Sequence, residues 1–111
     1  MGFFDMFGGM GKSMEEYVAE AESTEGAVIL DVRSPGEFTG GHVKGAINIP
    51  VNEINMAETK IKDKNTPLYV YCLSGARSGS AVSFLKSAGY TNVVNMGGIS
   101  RYSGPVVPGK K

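Results

Sequence analysis

Short apolar runs that alternate with helix-like segments are the feature of this sequence that most restricts its fold. Ala27–Val32 (AVILDV) and Leu68–Cys72 (LYVYC) are β-rich runs of strand length, and the first is typical of a strand buried on both faces of a parallel sheet. Ala46–Pro50 and Asn92–Met96 predict two more strands. Because strands alternate with helices, the sequence predicts an α/β fold with a mostly parallel central sheet and helices on both faces.

Two capping boxes mark helix starts. Ser13 is followed by Glu16, and Ser34 is followed by Glu37, so each serine and glutamate can satisfy the first backbone N–H groups of a helix. The first box predicts a helix that ends near Ser23. The second predicts a short helix that two glycines stop almost at once.

Two further helical segments follow. Asn52–Lys60 predicts a helical turn or short helix. The segment that Gly89 closes predicts a longer helix with five apolar side chains on one face. These five are Ala81, Val82, Phe84, Leu85 and Ala88.

The composition is that of a chain that folds as one domain. Leu, Ile, Val and Phe make up 26 of the 111 residues, and the net charge is zero, which is unlike a disordered chain. We assign residues 1–12 to an apolar, glycine-rich N-terminal segment, 13–103 to the folded domain and 104–111 to a frayed tail. The phenylalanines of the first segment, Phe3, Phe4 and Phe7, are expected to pack on the domain rather than dock a partner.

Charge and cysteine content exclude several kinds of partner. With 11 basic and 11 acidic residues and no basic run, neither nucleic acid nor a membrane is an expected partner. The apolar start contains Asp5 and lacks a basic region, so it is unlike a secretory signal, and the cytoplasm is the expected location. One Cys and one His cannot form an internal disulfide or a four-ligand zinc site, so no metal is expected.

Cys72 is the candidate nucleophile because it ends a predicted strand, where α/β proteins bind their ligands. The loop after it is Leu73, Ser74, Gly75, Ala76, Arg77 and Ser78, and it leads into a helix. Its backbone N–H groups, the helix dipole and Arg77 all favour the thiolate, which is the reactive form. The alternative interpretation is a buried apolar cysteine at a strand end.

Six short motifs extend the pattern in order along the chain: Asp31-Val32-Arg33, Glu37-Phe38, Gly41-His42, Gly45–Pro50, Cys72-x-x-Gly75-x-Arg77-Ser78 and Gly97-Gly98-Ile99. In this order and spacing the sequence resembles single-domain rhodaneses from near Ser13 to Tyr102. The resemblance implies a rhodanese-like α/β fold and a sulfurtransferase that works through a cysteine persulfide, without a cofactor. Related phosphatases and arsenate reductases have one more residue between Cys and Arg, so the shorter loop here favours sulfur transfer.

The resemblance also implies roles for the loop. The Cys72 thiolate would take the outer sulfur of an anionic donor such as thiosulfate, and the backbone N–H groups from Leu73 to Ser78 would hold the persulfide. Arg77 would steer the donor. The hydroxyls of Ser74 and Ser78 are candidate donors to sulfur, although Ser78 could equally cap the next helix.

The acceptor would be cyanide or a thiol, or a protein that takes the persulfide. An alternative within the same fold is a sulfur carrier or regulatory binding module with low turnover. Because the sequence has no second cysteine, a persulfide on Cys72 must pass to an external acceptor.

Several polar residues near these motifs are interpreted as structural. Asp31 and Arg33 are expected to form framework, and Glu37 to complete its capping box or to pair with Arg33. His42 is interpreted as structural rather than as a base for Cys72. Gly97-Gly98 is expected to be a turn that lets the backbone pass close to the loop, and Tyr102, where many rhodaneses have Trp, is expected to pack. No clear strand precedes Ser13, which leaves the edge of the sheet undefined.

Overall fold

The computed structural model describes residues 12–110, so the predicted packing of Phe3, Phe4 and Phe7 lies outside the described residues. Four parallel strands form the central sheet in the order β3-β1-β4-β5, with β3 and β5 at its edges. The strands are β1 (Val28–Asp31), β3 (Ile47–Asn48), β4 (Leu68–Cys72) and β5 (Val93–Gly98). The predicted strands are confirmed, and β4 has the predicted bounds.

Helices connect these strands. The helices are α1 (Met14–Glu22), α2 (Pro35–Gly40), a 3₁₀ helix (Val51–Met56), α3 (Ala57–Lys60), α4 (Ala76–Ser87) and a second 3₁₀ helix (Ile99–Arg101). Both predicted capping boxes are present, at Ser13 and at Ser34. No helix within residues 12–110 is long and apolar enough to cross a membrane.

The core has two layers, one on each face of the sheet. Along β4, Val70 and Cys72 belong to one cluster and Tyr71 to the other, as the alternation of side chains in a strand requires. Leu85 of α4 packs in the first cluster and Tyr17 of α1 in the second. The prediction of helices on both faces of a mostly parallel sheet is therefore confirmed.

Two expectations are wrong in this structure. The tail from Gly104 is not frayed throughout, because β6 (Val106–Val107) pairs antiparallel with β2 (His42–Val43), and its backbone groups gain partners there. Phe84 does not lie on the core face of α4 and is 37% exposed. The buried stripe of α4 follows Ser78, Ala81 and Leu85, which leaves Phe84 to its side.

Candidate active site

Cys72 is fully buried at the carboxyl end of β4, and the chain turns from it directly into α4. Gly75 is the N-cap of α4 and has a φ of 110°, a conformation that favours glycine. This turn directs the N–H of Gly75 at the sulfur, to which it donates a hydrogen bond of 2.9 Å. The loop and the helix start thus bring N–H groups to Cys72.

Ser78 is the second group on the sulfur. It is the third residue of α4 and is fully buried, and its Oγ lies 3.4 Å from Sγ of Cys72. Its position inside the helix means that Ser78 does not cap α4, which corrects one of the two expected roles. The predicted proximity of its hydroxyl to the sulfur is present.

The surroundings of the sulfur stabilise the thiolate. Burial raises the pKa of Cys72, but hydrogen bonding with the Ser78 hydroxyl and with the backbone N–H groups of Ser78, Gly75 and Ser74 lowers it. The balance places the pKa below the ordinary value of a cysteine. A thiolate that is present at lower pH is a nucleophile over a wider pH range.

Asn95 is a residue of this site that the sequence patterns did not identify. Its Oδ1 accepts hydrogen bonds from the Ser78 hydroxyl (2.8 Å) and from the N–H of Gly97 (2.9 Å). The strand pairing of β4 with β5 shifts after Val70, and this bulge falls directly after Asn95. The only signal in the sequence was a polar residue inside the apolar run NVVNM.

The glycine pair lies in β5 rather than in a turn, which corrects that expectation, but its predicted proximity to the loop is present. A Cβ on Gly98 would collide with the carbonyl oxygen of Leu73 and lie 2.6 Å from Cα of Ser74. The N–H of Ser100 donates to the same Leu73 carbonyl at 3.1 Å. The chain after β5 is therefore attached to the loop that follows Cys72.

Arg77 lies in the first turn of α4 and forms two hydrogen bonds to Glu37, of 2.8 and 3.1 Å. Glu37 completes the capping box with Ser34, as predicted, but it does not pair with Arg33. The Arg77 guanidinium, followed by the N–H of Ser34, lowers the pKa of Glu37 to about 2. The carboxylate thus links the start of α2 to the start of α4.

Arg33 pairs instead with Asp31. Nε and Nη2 of Arg33 donate to the Asp31 carboxylate at 2.7 to 3.1 Å, and Nη2 also donates to the carbonyl of Gly41 at 2.8 Å. Both side chains are buried, and Asp31 is fully so. The two side chains form hydrogen bonds to each other and to the backbone, so each buried charge has a partner. This arrangement is typical of an ion pair that supports the fold.

His42 is fully buried, and its ring stacks on Phe38 with 3.7 Å between the ring centres. Its Nδ1 donates to the carbonyl of Phe38 at 2.9 Å, and its Nε2 has no hydrogen-bond partner among the described residues. None of these contacts involves Cys72, in keeping with the structural interpretation.

The remaining loop positions, Leu73, Ser74 and Ala76, have exposed side chains, with Leu73 44% exposed. Among residues 12–110 no group of three or more His, Cys, Asp or Glu side chains is placed to hold a metal ion. The site is thus a buried sulfur held by backbone N–H groups and one hydroxyl, and bordered by an exposed loop. These features define an α/β protein with an activated cysteine.

Comparison with known proteins identifies the family. The Rhodanese-like domain family matches residues 13–104. The thiosulfate sulfurtransferase PspE of Escherichia coli (strain K12) is 43% identical over 81 residues, which are 72% of this chain and 78% of that protein. The putative sulfur carrier protein YrkF of Bacillus subtilis (strain 168) is 32% identical over 84 residues, which are 76% of this chain and 45% of that protein.

Solved structures of rhodaneses are also similar to this chain. A rhodanese with anions from E. coli has a TM-score of 0.70 and 42% identity, and the match covers 75% of this chain and 99% of that one. The rhodanese-like domain of the Anabaena sp. Alr3790 protein has a TM-score of 0.77 and 27% identity, with 87% and 77% covered. The chain belongs to the rhodanese-like domain family, which confirms the resemblance, and it is a rhodanese-like sulfurtransferase.

Proposed function

We propose that this protein transfers the outer sulfur of a thiosulfate-like anion to a thiophilic acceptor through a persulfide on Cys72. The observation that carries the proposal is the pair of contacts on the buried sulfur: the N–H of Gly75 donates to it at 2.9 Å, and Oγ of Ser78 lies 3.4 Å from it. These groups favour the thiolate in the free enzyme, and they are placed to hold negative charge on a persulfide.

The first step is a nucleophilic displacement at the outer sulfur of the donor. The Cys72 thiolate attacks the outer sulfur of thiosulfate and forms a new sulfur–sulfur bond, and the old bond breaks with its electron pair leaving on sulfite. In the second step cyanide or a thiolate attacks the outer sulfur of the persulfide. The electron pair of that bond then returns to Sγ, which regenerates the thiolate.

Arg77 is proposed to contribute to donor binding while it holds the loop. Two of its five N–H groups are directed at Glu37, which leaves the others for an anion. Leu73, Ser74, Gly75, Ala76 and Ser78 are proposed to contribute backbone N–H groups, or hydroxyls where they have them, around the bound sulfur. Because the lone cysteine must remain a free thiol, we also propose a reducing location, the cytoplasm.

The test is a pair of measurements on wild type and on Cys72→Ser. Wild type is expected to form thiocyanate from thiosulfate and cyanide, and its intact mass is expected to rise by one sulfur atom after donor treatment. Cys72→Ser is expected to lose both. Thiocyanate formation by Cys72→Ser at the wild-type rate would sink the proposal.

A sulfur-carrier role is the second candidate, and the exposed Leu73 beside the cysteine favours it, since an apolar side chain at the rim offers a contact for a protein partner. YrkF is named a putative sulfur carrier. The two roles separate in one experiment that compares discharge of the Cys72 persulfide to small thiols with its transfer to proteins of a cell extract. Fast discharge to small thiols supports the enzyme, and selective labelling of one protein supports the carrier.

A further inference from the structure

A cavity of about 350 Å³ adjoins the loop that follows Cys72, on the side of β5 and α1. Ser74 of the loop and Gly98 of β5 form part of its wall, and Lys12 and Arg101 add two positive charges. Tyr17 and Met96 supply apolar surface. The cavity thus combines cationic, hydroxyl and apolar groups beside the proposed reaction centre.

The backbone fixes the charged wall to the loop. Gly98 lies against Ser74 so closely that no Cβ fits between them. Two residues later, the N–H of Ser100 donates to the carbonyl of Leu73 at 3.1 Å. Arg101 follows immediately in the same 3₁₀ helix. The position of its Cα relative to the loop is therefore set by backbone contacts.

The two cations of the cavity differ in whether they have hydrogen-bond or ion-pair partners. The ammonium of Lys12 pairs with Glu20, whereas the guanidinium of Arg101 has no hydrogen bond or ion pair within residues 12–110. No Asp or Glu of the described residues lines the cavity. Arg77, in the first turn of α4, pairs with Glu37 and does not line the cavity. Arg101 is therefore the cation of this cavity that has no carboxylate partner within residues 12–110.

We propose that this cavity binds the carboxylate of a small thiol that accepts sulfur from Cys72, with Arg101 as the anchoring charge. The proposal rests on the persulfide chemistry proposed above. The cavity adjoins the loop instead of enclosing the sulfur, so it suits the end of an acceptor that is remote from the reacting thiol. Its apolar wall suits the alkyl portion between the two ends.

In the reaction, the thiol proton of the bound acceptor passes to the outer sulfur of the Cys72 persulfide, and the resulting thiolate attacks that sulfur. A sulfur–sulfur bond to the acceptor forms, and the bond to Sγ breaks with its electron pair left on Sγ. The products are the acceptor persulfide and the Cys72 thiolate. Arg101 takes no part in bond making and acts as a specificity residue.

The experiment separates loading from discharge. Wild type, Arg101→Gln, Arg101→Lys and Lys86→Gln are loaded with thiosulfate, freed of donor and mixed with 3-mercaptopropionate, 2-mercaptoethanol or cysteamine, with rates expressed per thiolate. Lys86 is an exposed cation in the last turn of α4, so Lys86→Gln removes the same charge at the far end of that helix from the loop. The readout is the rate of loss of the added sulfur by intact mass.

Wild type is expected to prefer 3-mercaptopropionate over 2-mercaptoethanol, with cysteamine the slowest. Arg101→Gln is expected to lower the rate for 3-mercaptopropionate about fivefold, the size of one charge pair at a partly exposed site, with little change for 2-mercaptoethanol. Arg101→Lys is expected to retain part of the preference, and Lys86→Gln all of it.

An unchanged preference in Arg101→Gln, or an equal loss of rate with all three thiols, would overturn the assignment of the cavity. A defect confined to loading would also overturn it, because the cavity would then serve the donor. Absence of any added sulfur on wild type is a distinct result, since it refutes the proposed persulfide chemistry, and this inference with it, before a thiol is added.

Discussion

The guanidinium of Arg77 holds both carboxylate oxygens of Glu37, at 2.8 and 3.1 Å, and joins the loop after Cys72 to the start of α2. The same carboxylate accepts the N–H of Ser34 at 3.0 Å and so completes the capping box. One side chain therefore satisfies a helix end and fixes the orientation of the arginine in the loop.

The first prediction separates these two roles of Glu37. Glu37→Gln retains an oxygen for the capping box but loses the ion pair, and it is expected to lower the free energy of unfolding at pH 7 by no more than about 1 kcal/mol, because the pair is about one third exposed. Glu37→Ala loses both and is expected to cost about 1 kcal/mol more. Urea unfolding measures both changes.

The pH dependence provides the control for the ion pair. Because Arg77, and after it Ser34, lowers the pKa of Glu37 from 4.5 to about 2, the stability that these contacts contribute is present above about pH 4.5 and is lost as the pH falls toward 2. The difference between wild type and Glu37→Gln is therefore expected to shrink over that range. A difference that does not change with pH would show that the ion pair is not its source.

The second prediction concerns the thiolate of Cys72. Ser78→Ala removes the hydroxyl 3.4 Å from the sulfur and is expected to raise the pKa of Cys72, because the thiolate loses a hydrogen-bond partner worth about 1 kcal/mol. The pH dependence of alkylation by iodoacetamide measures this pKa. The matched control is Ser80→Ala, at an exposed position of the same helix, which is expected to leave the profile unchanged.

A Ser78→Ala profile that overlays the wild-type profile would mean that the backbone N–H groups alone set the pKa of Cys72. Their contribution remains in both variants, so the pKa is expected to stay below that of a cysteine that is buried without hydrogen-bond donors.

Local rules were sufficient for much of the fold. The capping boxes at Ser13 and Ser34 and the bounds of β4 depend on residues a few positions apart, and each was predicted correctly. The location of Cys72 at the end of a strand was predicted from the same kind of short-range pattern. Short-range hydrogen bonds and side-chain periodicity are visible in a sequence because both partners lie within one or two turns.

Contacts between distant segments were not predictable in this way. Glu37 was expected to complete its capping box or to pair with Arg33, four positions before it; it completes the box, and its ion-pair partner is Arg77, 40 positions away. Asn95 contacts Ser78 next to a bulge in β5, and side-chain periodicity does not predict a bulge. Strand β6 pairs with β2, which lies more than 60 positions earlier in the chain. These choices depend on how the elements pack, which the local pattern does not contain.

The third prediction tests the backbone approach between β5 and the loop. Gly98→Ala places a Cβ against the carbonyl of Leu73 and Cα of Ser74, both backbone atoms, so the loop must move. We expect a loss of stability of about 1 to 3 kcal/mol by thermal or urea unfolding, and a slower formation of the persulfide. Gly36→Ala is the matched control, because a Cβ there meets nothing within 4 Å. Equal stability of the two variants would contradict the close approach.

The fourth prediction concerns the buried pair of Asp31 and Arg33. Asp31→Asn leaves the guanidinium of Arg33 buried without its counter-charge, and the expected loss is about 3 kcal/mol in urea unfolding. Asp63→Asn, at an exposed position, is expected to change stability by less than about 0.5 kcal/mol. Because Asp31 is assigned to the framework, the rate of persulfide formation per folded molecule of Asp31→Asn is expected to match wild type. A large fall in that rate with the fold intact would instead place Asp31 in the chemistry of Cys72.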